Sequence, residues 1–119
     1  MSNVPDFTDA ERWLVESTLK ERYGKPVEVQ LADVELRLSP DDRELTVCPA
    51  LFWTGDDVAF VVSKVGEGRF RTQFYYSVLE QFSTGHEEYD DLLQCVTTVL
   101  RVQADHALER AGAKSGKSK

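Results

Sequence analysis

The sequence predicts an α+β domain: a four-stranded antiparallel meander with a helix before it and a long helix after it, both on one face (α-β-β-β-β-α). Three observations carry this. Thr8-Asp9-Ala10-Glu11 has the spacing of a capping box, in which the Thr hydroxyl and the Glu carboxylate each accept from the other's backbone amide. Between residues 27 and 78 apolar and polar residues alternate with a period of two, interrupted by turn-forming residues. From Leu92 onward, Leu93, Val96, Val99, Leu100, Ala104, Ala107 and Leu108 recur at helical spacing. A sheet with one apolar face must cover it, and two helices are a common solution.

The first helix is expected to run from the capping box to about Tyr23 and to stop at Gly24, with Pro26 preventing continuation. Ala10, Trp13, Leu14 and Ser17 on one side, with Val15, Leu19 and Tyr23 beside them, give it a modest apolar stripe. Strand one combines Val27–Leu31 with Val34–Leu38, and the alternation slips near Ala32-Asp33, which predicts a bulge. Ser39-Pro40-Asp41-Asp42 is turn chemistry. Strand two covers 44–53, and Pro49 within it requires a bulge or an unpaired position. Strands three and four cover 58–65 and 69–78.

The loop Gly66-Glu67-Gly68 fixes the register. With Gly68 left-handed and Val65 opposite Arg69, Val58, Phe60 and Val62 share a face with Phe70, Phe74 and Tyr76. Leu45, Val47, Leu51 and Trp53 join them across the preceding turn. A two-residue loop would put Arg69 and Arg71 among those apolar residues, so the longer loop is selected. Thr84-Gly85-His86-Glu87 reads as a second capping box, opening a helix that runs to about Ala111. Residues 1–111 form a single domain in this reading, and 112–119 a disordered basic tail.

The 119 residues carry a net charge of −7, and the last ten hold four positive charges and no negative ones, leaving −11 on residues 1–109. Such a body argues against nucleic acid and anionic membrane as partners, and favours basic partners or simple solubility. The longest apolar run, Val47–Trp53, is far too short to span a bilayer. The N-terminus lacks the basic-then-apolar order of a secretory signal, and Cys48 and Cys95 have no metal-type spacing. The expected setting is the cytoplasm, with both thiols free.

Ser83-Thr84-Gly85-His86-Glu87-Glu88-Tyr89-Asp90-Asp91 is the densest cluster of reactive side chains. Helical spacing pairs His86 with Asp90 and Glu87 with Asp91, so a divalent-cation or acid–base site is conceivable. No further ligands are marked, however, and acidic residues at a helix start are explained by the macrodipole alone. Ala111–Ser118 matches a loose phosphate-loop pattern, but a helix precedes it and none can follow. Cys48 faces away from the helices that carry both histidines, which argues against a Cys–His nucleophile.

The sheet face opposite the helices is more informative. Arg69, Arg71, Gln73 and Tyr75 point there from strand four, with Phe52, Ala50 and Val61 from its neighbours. The plain reading is a solvent face. The functional reading is an interface, because Phe52 and Tyr75 beside two arginines match the composition of binding hot spots. The expectation is a small acidic binding or regulatory module, non-enzymatic and without cofactor or metal. It would engage a protein partner, or a second copy of itself, through Phe52, Arg69, Arg71, Gln73 and Tyr75. Two alternatives are a small metal-dependent protein or enzyme using His86, Glu87, Asp90 and Asp91, and an acidic mimic of nucleic acid that occupies a basic partner.

Overall fold

The computed structural model describes residues 4–55, 58–77, 80–85 and 88–116. Helix α1 (Asp9–Tyr23) starts as the capping box requires: the Glu11 amide donates to Thr8 Oγ1 at 3.1 Å and the Thr8 amide to Glu11 Oε1 at 2.8 Å. It ends at Gly24, whose φ of 74° places it in the left-handed region while its amide donates to the Lys20 carbonyl. Of the expected stripe, Val15 and Leu19 are fully buried, with Leu14 and Tyr23 packed beside them. Trp13 is left 69 % exposed.

Five antiparallel strands follow in simple order: β1 (Gln30–Leu36), β2 (Thr46–Gly55), β3 (Val58–Gly66), β4 (Arg69–Ser77) and β5 (Glu80–Ser83). The architecture is the α+β meander expected, with one strand more. Helix α2 (Leu92–Gly116) closes the chain and packs on β4 and on α1. The register between β3 and β4 is the one the apolar pattern selects, with Phe60 opposite Phe74 and Val62 opposite Thr72. Gly66, not Val65, opposes Arg69, and the irregularity falls between Lys64 and Gly66. Gly68 has a φ of 69°, as the turn demands.

The core lies between this face and the helices. Trp53 stacks on Phe60 with centroids 5.3 Å apart, and Phe70, Phe74, Cys95, Val96 and Val99 complete the centre. Each large apolar side chain buried this fully contributes about 1.5–3 kcal/mol relative to exposure. Lys64 lies on the same face and is equally buried. Its Nζ donates to Glu11 Oε1 at 2.8 Å and to the Asp6 carbonyl at 3.0 Å, tying the start of α1 to the sheet. The carboxylate that completes the capping box therefore also neutralises a buried cation, which would otherwise be costly to desolvate.

Several expectations are corrected. No bulge occurs near Ala32-Asp33; β1 pairs with β2 without a break, Asp33 opposite Pro49. The expectation for Pro49 is met by its unpaired option: it sits one residue beyond the β2–β3 ladder, which ends at the Ala50–Ser63 pair, and is unpaired on that side. Leu45 and Val47 lie outside the core, 50 % and 41 % exposed. Their parity along the strand is right, but they fall where β2 has left β3 behind.

Helix α2 begins at Leu92 rather than at the second capping-box pattern. Tyr89 instead exchanges two backbone hydrogen bonds with Phe70, an isolated bridge to the start of β4. The first turn is then capped by Asp91, whose Oδ1 accepts from the Gln94 amide at 3.0 Å. The helix runs on to Gly116, five residues past the expected end. Leu93 and Leu108, assigned to its buried stripe, are exposed.

Candidate binding surface on the open sheet face

Away from the helices, the register aligns Gln30, Phe52, Val61, Gln73 and Ser83 in one row across all five strands. A neighbouring row runs through Ala32, Ala50, Ser63 and Arg71. No helix covers this side, yet Cys48 and Ala50 are fully buried and Ser63 nearly so. The nine residues between β1 and β2, 37–45, account for this. The Arg71 guanidinium donates from Nη1 to the Arg37 carbonyl at 3.2 Å and from Nη2 to the Leu38 carbonyl at 3.1 Å. Strands β1 and β4 are three spacings apart, about 14 Å. One arginine cannot cross that gap, so the connection must turn inward over the face as a strap. Its first turn holds itself, with the Ser39 amide donating to Asp42 Oδ2 and the Asp42 amide to the Ser39 carbonyl.

Between strap and far rim lies a groove of about 430 Å3, lined by Leu36, Val61, Ser63, Arg71, Thr72, Gln73, Ser83 and Gly85. Beside it, the rings of Phe52 and Tyr75 meet at 6.4 Å, both half-buried. Four of the five residues proposed from the sequence therefore share one surface: Phe52, Arg71, Gln73 and Tyr75. Arg69 stands apart, with its Nε and Nη2 donating to the two Glu88 oxygens at 2.7 and 3.0 Å. That pair belongs to a separate recess with Tyr89, Asp90 and Gln94. Ser63, Ser83 and Leu36 were not anticipated. Ser63 is the polar interruption of Val61-Val62-Ser63-Lys64-Val65 and could have been noticed, whereas Ser83 lies on a strand the pattern did not reveal.

Burial raises the Cys48 thiol above its ordinary value, and the Arg71 charge pulls it partly back. Cys95, buried on the helix side, is pushed up to about 12 by desolvation, with its hydrogen bond to the Thr72 side chain opposing. The two cysteines are unpaired. His106 lies on the helix side with Cys95, across the sheet from Cys48: its ring packs on Phe82 at 4.3 Å and its Nδ1 meets the Tyr76 hydroxyl at 3.1 Å. Of the proposed metal cluster, His86 and Glu87 lie outside the described residues and Asp91 caps α2. Among the described residues no group of three His, Cys, Asp or Glu side chains is placed to hold a metal. The phosphate-loop-like stretch is helical through Gly116, and residues 117–119 lie outside the described residues.

No described helix is long and apolar enough to cross a membrane. Comparison of the chain with family models, curated proteins and solved structures gave no significant match.

Proposed function

We propose that this protein is a small non-enzymatic binding or regulatory module, cytoplasmic, whose open sheet face docks a protein partner. The observation that carries this reading is the surface formed by Phe52, Tyr75 and the Arg71 groove. It places two partly buried aromatic rings beside a cationic recess, on a body otherwise dominated by acidic residues. Two buried free thiols fit a reducing compartment. The partner is a different protein or a second copy of this chain.

Charge reversal of Arg69 and Arg71 would be a poor test, because it also breaks the Glu88 pair and the strap. Phe52→Ala with Tyr75→Ala removes the ring pair and leaves both intact. Native capture from the source cells should recover a stoichiometric protein with the wild-type chain and at least tenfold less with the double variant, at unchanged circular dichroism. For a second copy, light scattering should show a dimer that the double variant loses. Equal recovery, or an equal dimer, overturns the assignment of this face.

A further inference from the structure

We infer that the groove reads a single carboxylate, carried by an extended segment of the partner protein in a neutral or basic setting. This rests on the open face being the docking surface and adds what that surface recognises. The chain has 21 acidic residues, yet none of the described groove-lining residues is a carboxylate. Ser63, Gln73 and Ser83 offer hydroxyl or amide groups, Leu36 and Val61 are apolar, and Arg71 supplies the charge, while the Thr72 hydroxyl is taken up by the Val61 carbonyl at 2.9 Å.

The state of Arg71 decides the ligand. Its two terminal nitrogens donate to neutral backbone carbonyls, which position the guanidinium without cancelling its charge. No described carboxylate forms an ion pair with it, and its Nε, out of reach of solvent, has no hydrogen-bond acceptor. Arg69 provides the contrast, with both oxygens of Glu88 already on its fork. A held, uncompensated guanidinium, each of whose terminal nitrogens keeps a second N–H, is suited to donate a charge-assisted hydrogen bond to an incoming carboxylate.

The size and surroundings define the rest. A volume of about 430 Å3 takes a short extended stretch, and the Phe52–Tyr75 pair beside Gln73 offers apolar contact for a neighbouring side chain. The body, −11 over residues 1–109, repels a run of acidic residues. One carboxylate flanked by basic residues satisfies the groove and the body together.

The test is selection from a random nine-residue peptide library with free C-termini, on the full chain and on the Phe52→Ala/Tyr75→Ala variant. Sequences enriched on the wild type alone should keep one Asp, Glu or terminal carboxylate at fixed distance from an aromatic or large aliphatic residue, with Lys or Arg flanking. Converting that carboxylate to its amide should weaken binding at least tenfold by calorimetry. Selected peptides with no carboxylate at a fixed position, or whose amide binds equally, overturn carboxylate recognition and leave the docking surface standing. A small carboxylic acid carried through native purification, with no peptide enriched, assigns the groove to a metabolite and overturns the peptide. No enrichment and nothing bound overturns both.

Discussion

Cys95 shows how much one buried group sets at the residue scale. Its thiol has an ordinary value of 9.0 and is pushed to about 12 in the folded protein, so between those values the unfolded chain has lost a proton that the native state retains. The native state then binds more protons than the unfolded state, and stability must fall as pH rises through the window. The slope from one such group is about 1.4 kcal/mol per pH unit. Below pH 9 the contribution is fully present. Denaturant unfolding at several pH values between 8 and 11 should show wild type losing stability more steeply than Cys95→Ala by about that slope. Parallel curves would mean that the thiol ionises freely in the fold.

At the scale of elements, the strap is the feature with the clearest consequence. From β4 the Arg71 side chain is bonded to residues 37 and 38, and beneath the strap sits Cys48, fully buried on a face that neither described helix covers. Arg71→Gln removes one side of that grip. Alkylation of Cys48 under native conditions should then accelerate at least tenfold, while Cys95 stays silent, as expected for local opening rather than global unfolding. Quenched-flow labelling with mass spectrometry separates the two thiols. Equal acceleration at both would mean that the substitution loosens the whole fold.

The strap also marks where local sequence stops being informative. The α1 boundaries, the Gly68 turn and the β3–β4 register were legible because a cap, a left-handed glycine and a period of two are local signals. The strap depends on a contact between residues 34 positions apart, and nothing near Arg37 announces it. Strand β5 was missed because Glu80-Gln81-Phe82-Ser83 offers one apolar side chain and no alternation. Thr84–Glu87 had the residues of a capping box, but Tyr89 pairs its backbone with Phe70 and α2 opens only at Leu92, while His86 and Glu87 lie outside the described residues. Alternation gave Leu45 and Val47 the correct face without saying how far the helices extend over it. For the site, Phe52, Arg71, Gln73 and Tyr75 followed from parity, whereas the engagement of Arg69 by Glu88 did not.

For the whole molecule, the radius of gyration is 15.3 Å, against about 13.5 Å for a compact chain of this length. The excess fits the longest dimension of 55 Å and the course of α2, whose Ala107, Leu108 and Glu109 are all exposed. The helix has left the sheet before residue 110. A chain ending at Glu109 should therefore unfold within about 1 kcal/mol of the full chain in denaturant titrations. A loss of several times that would place the C-terminal turns against a second copy or another surface.

The simple strand order has a consequence for how the chain matures. Every pairing in the sheet joins neighbours in sequence, so hairpins can form one after another as the chain lengthens. Their apolar face finds its main cover only in Val96, Val99 and Leu100 of α2, which follows the whole meander in sequence. Until α2 has left the ribosome, the meander presents Phe60, Phe70 and Phe74 without their partners from that helix. The interval between Ser83 and Leu100 is thus the period when the nascent chain is most exposed to aggregation and most in need of a chaperone.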